Sequence, residues 1–220
     1  IRIKLPEALP RFITAEDLQF LLDTINSDRD RALILLLLRT GMRIGELLAV
    51  QISDISLTER KIMIYLGEKN FQGRAVYYSK DAEQALKKWL AIRPGRSNSL
   101  FPGRSIGESI SYVTAWNNMR DILDRAGLAE KGYSLHSLRH TFATDMLNAG
   151  MRLEVLQQLL GHQDIEMTMR YARITDLTRE NEYFKAMDRI EQGGQHEHRH
   201  INTQLQKVFE KKKLLRSKRK

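Results

Sequence analysis

The stretch Ala32-Leu33-Ile34-Leu35-Leu36-Leu37-Leu38-Arg39-Thr40-Gly41-Met42-Arg43-Ile44-Gly45-Glu46-Leu47 decides how the rest of the chain is read. From Ala32 to Leu38 every residue is apolar, so a helix starting near Asp28 has no polar face and belongs in a core. Gly41 is placed to end it as a C-cap. A short third helix, Ile44 to Val50, follows directly and is opened by Arg43.

Upstream, Thr14 before Ala15-Glu16-Asp17 reads as a helix start, with acids near the positive end of the helix dipole, and that helix is expected to reach about Asn26. Downstream the pattern changes. Lys61-Ile62-Met63-Ile64-Tyr65 and Ala75-Val76-Tyr77-Tyr78 are rich in strand formers and flank a loop with Gly67, Asn70 and Gly73. With Ile52 to Leu57 they predict a small three-stranded antiparallel sheet. Helices are expected over Asp81–Ile92, Ser109–Ala126, Leu135–Asn148, Leu153–Leu160, Ile165–Tyr171 and Asp176–Ile190, with Gly127, Gly150 and Gly161 at helix ends. The fold class is therefore mainly α with a small antiparallel sheet, an α+β domain over residues 1–191. Residues 192–220 read as a basic tail: a linker with His196, His198 and His200, then a possible helix from Leu205 to Leu215.

Charge supports this division. The net charge is +9, yet the tail holds nine Lys or Arg against two acids, leaving 27 bases against 25 acids in residues 1–191. A nucleic-acid surface on the body must come from segregation of charge, not from its sum. No apolar run approaches the ~20 residues that cross a bilayer, no secretory signal opens the chain, and there is no cysteine, so a cytoplasmic location is expected. The start at Ile1 reads as that of a fragment or a processed product.

Breaking a DNA strand without a metal needs a nucleophile, cations for the charge that gathers on the non-bridging oxygens, and groups that move two protons. Arginine suits the second task, because its rigid fork of donors fits phosphate and stays charged. Arg43 opens a helix whose exposed amides favour an anion. In His136-Ser137-Leu138-Arg139-His140, His136 and Arg139 are three apart and share a helix face, with His140 alongside. Gly161-His162-Gln163-Asp164 breaks two helices, and Tyr171 lies nine residues beyond His162. Each alone is more readily read as an exposed arginine, a solvated or hydrogen-bonded polar face or a half-buried packing tyrosine. Met42, Met146 and Met151 read as core filler, and the tail histidines as solvated linker.

Taken together and in order, Thr-Gly-Met-Arg-Ile-Gly-Glu-Leu, His-Ser-Leu-Arg-His-Thr-Phe-Ala-Thr, Leu-Leu-Gly-His and Arg-Tyr-Ala closely resemble the tyrosine recombinase (phage integrase) family, over roughly residues 10 to 185. The resemblance implies that Arg43 is the first catalytic arginine with Glu46 supporting it, and that His136 and Arg139 form the His-x-x-Arg pair. It further implies that His162 fills a position that is His or Trp in relatives, and that Tyr171 is the nucleophile. The family also carries a lysine in the sheet loop, usually in a Gly-Lys-Gly-x-Lys-x-Arg setting. Gly67-Glu68-Lys69-Asn70-Phe71-Gln72-Gly73-Arg74 departs from it, with Glu after the first glycine and one extra residue. Lys69 is the best replacement, to protonate the leaving 5′ oxygen, against a plain surface lysine.

The expected activity is site-specific cleavage and rejoining of double-stranded DNA through a 3′-phosphotyrosyl link and a Holliday junction, with neither metal, ATP nor other cofactor. By the same resemblance, four protomers act together and an N-terminal core-binding domain completes a clamp on the DNA. The rivals are a type IB topoisomerase and a catalytically silent DNA-binding relic. The tail is expected to contact DNA or a neighbouring protomer, against the plainer reading of a partly disordered basic tail.

Overall fold

The computed structural model describes residues 11–65, 73–95, 97–105, 107–162 and 187. The chain divides into two units, and all of these except Met187 lie in the first, Ile1–Asp176. The expected helices Ile165–Tyr171 and Asp176–Ile190 and the tail 192–220 lie outside the described residues.

Helix α1 (Ala15–Asp23) starts at Thr14, whose side chain accepts the Asp17 amide. It stops short of the expected Asn26, because the carbonyls of Leu22 and Ile25 are taken by the Arg31 guanidinium and Ser27 begins to cap the next helix. That helix, α2 (Asp28–Thr40), is the axis of the domain. Ala32 to Leu38 are all buried, and the helices Lys80–Ile92 and Leu135–Asn148 pack on it. Full burial of one such leucine stabilises the fold by about 1.5–3 kcal/mol. Gly41 ends α2 in the left-handed conformation, φ 65°, with its amide returned to the Leu37 carbonyl. Helix α3 (Ile44–Ala49) then leaves at once.

The sheet has the order β1-β2-β3, antiparallel throughout, with Ile62 paired to Ile55 on one side and to Val76 on the other. Strand β1 (Ile55–Ser56) is shorter than the expected Ile52–Leu57, since Ile52–Asp54 form a 3-10 turn. The Asp54 carboxylate accepts the Gln51 amide and so curls the chain, while the Ile52 amide is claimed by the Asn98 carbonyl. Strands β2 (Lys61–Ile64) and β3 (Arg74–Tyr77) follow the expected positions within a residue. On one face of them Ile62, Ile64 and Val76 enter the core.

Helix α4 (Lys80–Ile92) carries in its last turn Trp89, whose indole N–H donates to the Leu100 carbonyl and whose ring stacks on Phe101 with centroids 6.1 Å apart. Helix α5 (Tyr112–Arg125) begins later than the expected Ser109, because Ser109 is held in a bridge to Pro102 and Ser111 caps the helix instead. Helices α6 (Leu135–Asn148) and α7 (Leu153–Leu160) have the expected bounds. A second apolar cluster, Phe142, Ala143, Leu147, Leu156 and Leu160, joins them, with Met146 and Met151 packed at its edge and Met42 buried in the main core. The architecture is the expected one, mainly helical with a small antiparallel sheet. No helix among the described residues is long and apolar enough to cross a membrane.

Candidate catalytic site

Three element ends meet where α2 stops, α3 starts and α7 stops. Arg43 is the N-cap of α3, and its own amide donates to the Glu46 carboxylate at 2.8 Å. Its guanidinium closes back on the same carboxylate at 3.1 Å while its side chain stays 39% exposed. Glu46 is only 12% exposed and takes a second, bidentate arginine: Arg74 Nη1 and Nη2 reach its two oxygens at 3.0 and 2.7 Å. Burial alone would raise the Glu46 pKa, but hydrogen bonds from Arg74 and the Arg43 amide, with both guanidinium charges, outweigh it and hold the carboxyl below its usual value.

Arg139, in the second turn of α6, is 5% exposed. Its Nη1 donates to the Gly41 carbonyl at 2.5 Å, and its Nη2 to the Leu160 carbonyl at 2.9 Å and the His162 Nε2 at 2.8 Å. A guanidinium only donates, so Nε2 accepts and the neutral ring carries its proton on Nδ1. Gly161, at φ 64°, makes the turn that presents His162, whose carbonyl is held by the Gln157 amide group. Burial, then the charges of Arg139, Arg43 and Arg74, against a smaller opposing effect of Glu46, push the His162 pKa down to about 4. Two guanidiniums thus face one carboxylate, and three act on one neutral imidazole, an excess of positive charge suited to an anion.

The structure therefore brings together Arg43, Arg139, His162 and Glu46. His136 lies in the first turn of α6 and is exposed, whereas Arg139, three residues on, is buried, so the shared face divides between solvent and core. His140 is half-buried, and burial, then the charges of His136 and Arg139, lower its pKa to about 4. Lys69 and Tyr171 lie outside the described residues. Arg74 was visible only as the last residue of the loop pattern; its two-pronged hold on Glu46 carries no signal in sequence spacing. Among the described residues, no group of three or more His, Cys, Asp or Glu could hold a metal ion.

His140 and His162 make stability depend on pH. A histidine whose folded value is about 4, against an ordinary value of 6.5, binds its proton more readily when the chain is unfolded. Stability is then complete above pH 6.5, falls between 6.5 and 4, and levels off for these groups below 4. Urea midpoints measured over that range should decline with falling pH, and less steeply in His140→Gln; an identical slope in the variant would show that His140 contributes nothing.

A profile of the Phage integrase family matches residues 11–177, and the chain belongs to that family. It is similar to tyrosine recombinase XerA of Pyrococcus furiosus, 34% identical over 176 residues that cover 78% of this chain and 60% of the relative. It is also similar to tyrosine recombinase XerD of Corynebacterium glutamicum, 36% identical over 180 residues, with 76% and 58% covered. The chain thus spans about three fifths of these curated relatives' length. Among solved structures, the XerA recombinase superposes with a TM-score of 0.72 at 28% identity, covering 84% of this chain and 67% of the other. The XerH site-specific recombinase in a post-cleavage complex with its palindromic difH substrate gives 0.68 at 27%, with 80% and 53% covered.

Proposed function

We propose that this chain is the catalytic part of a site-specific tyrosine recombinase that cuts and rejoins double-stranded DNA. The observation that carries the reading is the meeting of Arg43, Arg139 and His162 at one cationic point. There a phosphodiester would be held with its non-bridging oxygens toward the two guanidiniums, which offset the charge that develops as phosphorus is attacked. The Tyr171 phenolate forms the new P–O bond and the bond to the 5′ oxygen breaks. The leaving oxygen takes a proton from Lys69, and a 3′-phosphotyrosyl link remains. An ordinary tyrosine has a pKa of about 10, and nearby cations favour its phenolate. His136 assists proton transfer or holds the phosphate. A 5′-hydroxyl from a partner strand reverses the step, and the phosphotyrosine retains the bond energy, so no ATP is consumed.

Four protomers acting through a Holliday junction, with a core-binding domain completing the clamp, form the assembly in this reading. Residues 192–220 contact DNA or a neighbouring protomer. The relatives are recombinases by name, which favours strand exchange over the supercoil relaxation of a type IB topoisomerase.

The test is a covalent trap. Duplexes enriched from a random pool by binding to the protein are nicked beside the cleaved bond, so that the released end diffuses away. The expected product is a protein–DNA adduct that survives denaturation and maps by peptide sequencing to Tyr171. Tight DNA binding with no adduct, or an adduct at another residue, would sink the proposal.

A further inference from the structure

Arg74 has no part in the mechanism above, yet it makes more directional bonds to the site's scaffold than Arg43 does. It opens β3, opposite Ile64, and its side chain is 12% exposed. Two parallel N–H groups grip the Glu46 carboxylate, and Nε donates to the Leu159 carbonyl, in the last turn of α7, at 3.0 Å. Gly161 makes room for it: a Cβ there would lie 2.7 Å from Arg74 Nη1. The sheet, the first turn of α3 and the turn that bears His162 are therefore joined through a single guanidinium.

Its charge matters as much as its bonds. Were Arg43 the sole counter-ion of a nearly buried Glu46, the carboxylate would consume the charge that a phosphate needs. With Arg74 clamped on both oxygens, the carboxylate is neutralised from the sheet side. It still holds the Arg43 amide and one guanidinium nitrogen in place.

We propose that Arg74 is a positioning residue for strand cleavage: by clamping Glu46 and the Leu159 carbonyl, it aims Arg43 and the His162 turn at one phosphate and keeps the Arg43 charge available to it. The inference rests on the recombinase reading given above.

The experiment compares the intact protein with Arg74→Gln and Arg74→Lys on two suicide duplexes, one ordinary and one with a neutral methylphosphonate at the cleaved position. Glutamine keeps length but loses charge and fork, so cleavage of the ordinary duplex should fall about 100-fold, in the range seen when a preorganised charge stabiliser is lost. DNA affinity should stay within about threefold, since phosphate contacts elsewhere dominate binding. On the methylphosphonate the oxygen charge that Arg43 offsets is absent, so the deficit should shrink below about tenfold. Lysine keeps the charge without the fork and should fall between the two. Equal deficits on both duplexes, or cleavage within about threefold of wild type, would overturn the proposal, because a general loss of packing does not distinguish the substrates. If Arg74→Gln does not fold, the same comparison with Arg74→Lys decides.

A second readout needs no cleavage. Removing Arg74 turns the Glu46 charge toward His162, so the His162 ring, followed by NMR, should titrate above its starting value of about 4. An unmoved titration means that no clamp exists. Should wild type form no adduct at all, the recombinase reading fails on its own, and the NMR titration still judges the clamp.

Discussion

Arg139→Lys is expected to retain the fold and DNA binding while forming the covalent adduct about 1000-fold more slowly, because the charge is kept but the forked geometry that aims it is lost. Arg139 is 5% exposed, and among the described residues its guanidinium meets acceptors in three places: the cap of α2 at Gly41, the end of α7 at Leu160, and His162. A lysine ammonium keeps the charge but has a single nitrogen, which cannot reach two carbonyls and an imidazole along the directions a planar fork allows. Each buried acceptor left without a donor costs about 1–3 kcal/mol, so the urea midpoint should fall as well. The catalytic loss should exceed the stability loss in kind. His162 would no longer be oriented by an arginine donor, and the turn at Gly161 would be freed from its hold on α6. Adduct formation within about tenfold of wild type under saturating DNA would contradict the assignment of Arg139 to phosphate binding.

What the sequence revealed follows the range of the forces involved. The buried run Ala32–Leu38 and the stop at Gly41 are local facts of periodicity and of a left-handed residue, and both are found where they were expected. The 3-10 turn at Ile52–Asp54 was not foreseen, because Asn98, 46 residues away, decides where the Ile52 amide points. The Ser109 start of α5 failed for the same reason, as Pro102 competes for that backbone. In the site, Arg43, Arg139 and His162 were legible because each sits in a short motif beside a helix end. The burial that separates Arg139 from His136 was not, since spacing places both on one side of α6 and only the packed neighbours show which is covered. Arg74 escaped altogether: its partners lie 28 and 85 residues away, and no periodicity links them.

Gly41→Ala tests whether the site and the core are one structure. At φ 65° an alanine costs about 1–2 kcal/mol against glycine. The added Cβ would also lie 2.3 and 2.6 Å from Phe142 Cδ1 and Cε1 and 3.0 Å from Leu160 Cδ2. Phe142 is part of the packed cluster between α6 and α7, so it yields only by disturbing Leu156 and Leu160, and such overpacking costs about 1–3 kcal/mol. A total loss of about 2–5 kcal/mol should appear as a lower urea midpoint with unchanged slope. The same displacement moves the Gly41 carbonyl that Arg139 holds and the helix end that carries His162. Cleavage should therefore fall by about 100-fold even at temperatures where the variant remains folded. Gly45→Ala is the matched control. It lies inside α3, its Cβ would meet nothing within 4 Å, and its φ is not positive. There alanine should instead stabilise by about 0.4–1 kcal/mol, through the lower entropy of the unfolded chain and better helix propensity. Equal effects of the two substitutions would mean that neither the backbone angle at Gly41 nor its contact with Phe142 constrains the domain, and that the arginine held by its carbonyl is positioned by something else.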